Sequence, residues 1–111
     1  MARRMKTRLL PGFTAALGLA AAGAGGAQAK TLRVVMDNLE FTPANITASV
    51  GDTIDWVNRD FLDHTATASD GKWELVLPAG TSKEFQVKDA GTLEYYCRYH
   101  PNMKGVITVG R

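Results

Sequence analysis

From residue 31 onward, apolar side chains recur at every second position in short runs. Turn-forming residues interrupt these runs roughly every eight to twelve positions. A period of two marks strands with one buried face. It predicts strands at TLRVVM (31–36), NITASV (45–50), TIDWVN (53–58), HTATA (64–68), WELVL (73–77), SKEFQV (82–87), TLEYYC (92–97) and GVITV (105–109). The segments TPAN, VGD, NRD, SDG, LPAG and KDAG between them supply turn chemistry. No stretch reads convincingly as a helix. The expected fold is all-β, with about eight strands in a sandwich or a barrel. Alternation sends Ile54 and Trp56 to one face of their strand, and Leu93, Tyr95 and Cys97 to one face of theirs. Cys97 therefore points inward at the point where its strand ends.

The first 29 residues follow a different pattern. Arg3, Arg4, Lys6 and Arg8 form a basic head, a long uncharged Gly/Ala-rich stretch follows, and AQA closes it at Ala27 to Ala29. This reads as a secretory signal peptide cleaved after Ala29, too short and too small-residue-rich in its apolar part for a bilayer span. Residues 30–111 are then the mature domain, exported and expected in a bacterial periplasm, with no membrane span. Four of the chain's 13 basic residues precede Lys30 and none of its 11 acidic residues does. The mature domain therefore carries nine basic against 11 acidic side chains, a net charge of −2. The formal +2 of the whole chain belongs to the leader, which removes the case for a nucleic-acid partner.

One cysteine rules out an internal disulfide in a compartment that would permit one. A lone thiol there needs protection by burial or by a metal. Its neighbourhood, YYCRYHPNM, holds Cys97, His100 and Met103 at steps of three. At this composition, a cysteine meets His at +3 and Met at +6 about once in 1,500 trials. The second histidine, His64, follows the turn VNRDFLD and opens another strand. In an antiparallel sandwich that turn can lie at the same end as the loop after Cys97. Two imidazoles, a thiolate and a weak axial thioether form the ligand field of an electron-transfer copper. Structural zinc prefers four strong donors and rarely recruits methionine.

SVGDTIDWVNRD and DAGTLEYYCRYHPNMKGVITV together resemble the cupredoxins, with the short ligand-loop spacing of the amicyanin group. The resemblance runs through most of residues 30–111. It implies an eight-stranded Greek-key sandwich holding one type 1 copper, bound by His64, Cys97 and His100 with Met103 axial. Thr65 stands where the family commonly has an Asn that ties the two ligand loops together. Its hydroxyl and N–H must take over that role, and Asn58 is the other candidate residue around the ligands. Asp63 replaces a common Pro before the first histidine.

The function expected is a soluble, monomeric one-electron carrier cycling between Cu(II) and Cu(I). Its partners would be a redox donor and acceptor, such as a dehydrogenase and a c-type cytochrome. They would dock on an apolar patch around His100 formed by Tyr99 and Pro101, with Leu62 and Met36 as further members. Tyr96, beside Cys97 and facing outward, marks a second exit. The alternative is a copper-binding or delivery protein without a redox partner. An enzyme is not expected: multicopper oxidases and copper nitrite reductases need more than two histidines, and a Cys97–His100 hydrolase lacks an orienting third group.

Overall fold

Nine strands make up most of residues 28–111, the part of the chain that the computed structural model describes. They are β1 (Thr31–Asp37), β2 (Glu40–Thr42), β3 (Asn45–Ser49), β4 (Thr53–Asn58), β5 (His64–Ala68), β6 (Glu74–Leu77), β7 (Ser82–Gln86), β8 (Gly91–Cys97) and β9 (His100–Gly110). Two mixed sheets form the sandwich, one ordered β2-β1-β4-β7 and the other β3-β9-β8-β5-β6. β1 runs parallel to β4, and β3 runs parallel to β9; the remaining pairs are antiparallel. The predicted signal peptide falls almost wholly outside the described residues. Among the described residues no helix is long and apolar enough to cross a membrane.

All eight predicted strands are present, and the structure adds β2 and lengthens β9. β2 has three residues, too few for alternation to be visible in the sequence. It forms because Asn38 and Leu39 both take positive φ, 54° and 60°, and turn β1 back on itself in a two-residue hairpin closed by Asp37 and Glu40. β9 begins at His100, five residues earlier than the apolar pattern suggests. Cys97 pairs with His100 across the Arg98–Tyr99 turn, and the register then slips between Tyr96 and Cys97. Tyr96 pairs with Lys104, so Pro101 to Met103 bulge out of the ladder.

The two sheets meet over Val34, Met36, Ile54 and Trp56 from one side and Leu77, Tyr95, Ile107 and Val109 from the other, all buried. Aromatic rings fill the middle. The Tyr95 ring stands edge-on to Phe41 at 4.8 Å and to Trp56 at 4.9 Å, and Trp56 stands edge-on to Phe85 at 5.7 Å. Edge-to-face contacts of this kind fix ring orientation as well as burying area. Burial also pushes the Tyr95 phenol well above its ordinary range, so it stays neutral. Tyr95 lies two residues before Cys97 on the same face, so this rigid aromatic layer sits directly along the chain from the thiol.

At the other end of the domain, the buried Asp52 carboxylate accepts the N–H groups of Lys30 and Ser49 at 2.9 and 2.8 Å. These bonds hold it below the ordinary carboxylate range. They tie the start of β1 to the β3–β4 turn.

Gly105 faces Tyr95 across the β8–β9 ladder, and a Cβ there would overlap the phenol ring. The ring is wedged by its aromatic neighbours and cannot swing away. Gly105→Ala should therefore destabilise the domain by about 1–3 kcal/mol, the usual cost of overpacking. Chemical denaturation measures this, and unchanged stability would show that the ring is free to move.

Candidate metal centre

Three strand ends converge at one end of the sandwich. β5 and β8 are antiparallel neighbours, with Thr67 opposite Tyr96, so the first residue of β5 and the last of β8 share an edge. His64 opens β5, Cys97 closes β8 and His100 opens β9 after the two-residue turn. The Cys97 Sγ lies 3.6 Å from His64 Nδ1 and 3.7 Å from His100 Nδ1. The three donor atoms all lie within 4.8 Å of one another. The imidazole rings stand 5.1 Å apart at 69°. Nitrogen and sulfur donors bound at about 2.1 and 2.3 Å to one ion sit roughly 3.6–3.8 Å apart for angles between tetrahedral and trigonal. The observed S–N separations match that spacing, so the donors fit one ion without rearrangement. His64 and Cys97 are fully buried, and His100 is half-buried.

Surrounding groups determine which atoms face the centre. His64 Nε2 meets the Asp60 carboxylate at 2.7 Å, leaving Nδ1 for the metal. This carboxylate–imidazole pairing is typical of metal-bound histidine. Asp60 also accepts the N–H groups of Asn38 at 2.7 Å and Leu39 at 3.1 Å, which holds the positive-φ turn of the β1–β2 hairpin against the site. Burial raises the affinity of Asp60 for a proton, but hydrogen bonds from His64, Leu39 and Asn38 outweigh it and hold the carboxyl below its ordinary range.

Asn58 makes no hydrogen bond to any of the three donor side chains. It is buried, donates from Nδ2 to the carbonyls of Leu62 and Leu77 at 2.9 Å each, and accepts the Asp60 N–H at 2.9 Å. It shapes the loop that delivers Asp60 and His64. Thr65 bridges the two ligand segments. Its N–H points at Cys97 Sγ at 3.4 Å, and its hydroxyl oxygen accepts the Arg98 N–H at 2.8 Å. Asp63 accepts the Ala79 N–H at 3.0 Å and anchors the same loop to the β6–β7 turn.

Met103 lies buried in the core on β9, as the last residue of the bulge. Tyr99 and Pro101 are exposed beside His100, and Tyr96 is half-buried on β8. Leu62 is half-exposed, but Met36, expected on the surface patch, is completely buried because it faces inward on β1. The residue missing from the sequence reading is Phe61, whose side chain is 99% exposed, with Leu39 at 47% nearby in the same tied loops. An apolar Phe-Leu pair inside the polar turn NRDFLD was the available signal. Asp60 was missed as well, since in sequence it looks like one more turn aspartate.

A soft thiolate with two imidazoles selects copper over harder metals. Comparison with known proteins agrees. Residues 10–109 match the family described as cupredoxin-like domain. Amicyanin from Paracoccus denitrificans is 30% identical over 84 residues, covering 68% of this chain and 64% of that protein, slightly under two thirds of its length. Among solved structures, a purple cupredoxin from Nitrosopumilus maritimus superposes with a TM-score of 0.64 at 26% identity, covering 71% of this chain and 99% of its own. A Cu-containing nitrite reductase from Thermus scotoductus SA-01 superposes with a TM-score of 0.66 at 28% identity over 83% of this chain, but only 25% of the enzyme's.

The Asp60 contact generates a prediction. Asp60→Ala frees His64 Nε2 and releases the β1–β2 turn. Copper affinity should fall by about 10–100-fold, the usual effect of losing such a partner. Competition with a copper chelator measures it, and unchanged affinity would show that the loop alone orients His64.

Proposed function

The chain belongs to the cupredoxin-like family and is a blue copper protein with one copper ion per chain, and from this premise we propose that it is a soluble one-electron carrier. The observation that supports this best is the triangle of His64, Cys97 and His100 held at metal-ligand spacing by strand ends. Copper bound there would supply one-electron Cu(II)/Cu(I) chemistry. The chain's own contribution is to keep the donors in place in both states, so that little must move when an electron arrives or leaves. Met103 is proposed to supply a weak thioether donor to the bound copper, and Thr65 and Asn58 are the proposed supports of the ligand loops.

His100 provides the way in and out. Half-buried, it sits next to exposed Tyr99 and Pro101, on a turn tied through Thr65 to the strand that follows the Phe61–Leu62 loop. Exposed apolar side chains of this kind suit brief docking of redox proteins, such as a dehydrogenase donor or a c-type cytochrome acceptor. Tyr96 is the proposed second exit. Delivery of copper to another protein is disfavoured by the complete burial of His64 and Cys97, which leaves an incoming chelator only His100 to engage first. Two histidines cannot build the additional copper centres of an oxidase or reductase, so the protein is proposed to be no enzyme. Export to a periplasm by the leader at residues 1–29 completes the reading and accounts for a lone thiol that is kept buried.

Adding Cu(II) to the purified protein should produce intense thiolate-to-copper absorption. Cys97→Ser should abolish it, because a hydroxyl is a hard, weak donor. Met103→Leu should retain the colour and raise the reduction potential, since losing the axial thioether favours Cu(I). Colour surviving in the Cys97 variant, or a lowered potential in the Met103 variant, would contradict these roles.

Docking is tested separately. Phe61→Asp should slow electron self-exchange by about tenfold by placing a charge in the apolar contact. The potential should not change. An unaltered exchange rate would move the docking surface elsewhere.

A further inference from the structure

The polar groups around the Arg98–Tyr99 turn close into a ring, and Arg98 enters that ring twice. Its backbone N–H donates to Thr65 Oγ1 at 2.8 Å. Its guanidinium donates to both oxygens of Glu74, from Nε at 3.0 Å and Nη2 at 2.9 Å. Between these ends, the Thr65 and Thr67 hydroxyl oxygens lie 2.8 Å apart, and Thr67 donates to Glu74 at 2.8 Å.

The direction of every bond in the ring follows from Glu74. An ionised carboxylate only accepts hydrogen bonds. The Thr67 hydroxyl first, and Arg98 after it, hold Glu74 below its ordinary range against the opposing effect of burial. Thr67 therefore spends its single proton on Glu74 and can only accept from Thr65. Thr65 in turn spends its proton on Thr67, which leaves its oxygen to accept the Arg98 N–H. Hydrogen bonds running in one sense polarise one another, so the carboxylate strengthens the bond at the far end.

Stability is not what this ring chiefly provides. The Arg98 and Glu74 side chains are 53% and 32% exposed, and ion pairs in such positions add little. Thr65, by contrast, is fully buried, and its contacts with the turn are buried at the sulfur and partly buried at Arg98. The peptide that Thr65 holds joins Cys97 to Arg98, and the N–H of Thr65 itself points at Cys97 Sγ. We propose that Glu74, acting through Thr67 and Thr65, is a positioning residue that fixes the Cys97–Arg98 peptide and the N–H···S contact, and so tunes the reduction potential of the bound copper. This rests on the electron-carrier reading. Glu74 and Thr67 make no hydrogen bond to His64, Cys97 or His100, so their influence passes through Thr65 and Arg98. An N–H aimed at the sulfur favours the state with more electron density there, which is the reduced one. Loosening the ring should lower the potential.

The test uses the whole chain with Thr67→Val, Glu74→Gln, the two combined, and Thr67→Ser as the rescue. In metal-free protein, hydrogen exchange at the Arg98 N–H should be about tenfold faster in the first two, as expected for one weakened hydrogen bond. Thr67→Ser, which keeps the hydroxyl, should restore it. With copper bound, both single variants should show a lowered potential and a shifted thiolate band. The double variant should go no further than the larger single effect, because both changes cut the same chain. Unchanged Arg98 exchange would overturn the ring whatever the metal does. An unchanged potential, or effects that simply add in the double variant, would overturn its role at the copper. Absence of thiolate absorption in the unaltered protein would instead sink the electron-carrier reading itself.

Discussion

Thr65 touches the Cys97 turn twice, through its N–H on the sulfur and through its hydroxyl beneath the Arg98 N–H. His64 precedes Thr65 in β5, and His100 follows Arg98 by two residues, so these contacts set the spacing of all three donors. A single-residue slip between β5 and β8 would send His64 to the other face of its sheet. The convergence of the donors is therefore a matter of register, and register depends on how the sheets pack.

Packing supplies that register from below. Tyr95, wedged between Phe41 and Trp56 and backed by Gly105, fixes β8 two residues before its end. From above, the loop between β4 and β5 is held by polar bonds that run from the buried Asn58 out to the exposed rim. Asn58 gathers the carbonyls of Leu62 and Leu77, Asp60 gathers His64 and the Asn38–Leu39 turn, and Asp63 reaches Ala79. Burying polar groups is costly unless their hydrogen bonds are made, and here each is paired. Once paired, such a network admits few alternative arrangements. The donors thus face one another at the spacing an ion needs, with the protein's own bonds holding them there.

Much of this was legible in the sequence for a simple reason: strands with one buried face write their period directly into the chain. The inward placement of Ile54, Trp56, Tyr95 and Cys97 follows from alternation alone, and all four are buried. The convergence of His64, Cys97 and His100 was legible because short steps and strand ends limit where side chains can point. Other features leave no periodic trace. β2 is too short to alternate, and β9 starts at His100 because of a tight turn rather than an apolar run. Asp60 reads like any turn aspartate until the hairpin of β1 and β2 is folded against it, a contact across 21 and 22 residues. Met36 was misplaced even though alternation in TLRVVM groups it with Leu32 and Val34 opposite Arg33, on the apolar face that meets the core, whereas Phe61 lies in an irregular loop, where no period marks its exposure.

Cycling between Cu(II) and Cu(I) with little rearrangement would depend on a centre whose geometry the protein imposes in both oxidation states. X-ray absorption at the copper edge, on oxidised and then reduced protein, measures this most directly. It should find one short copper–sulfur bond and two imidazole nitrogens in both states, with little change in distance between them. A copper lacking sulfur in its first shell, or ligands that lengthen markedly or detach on reduction, would contradict it.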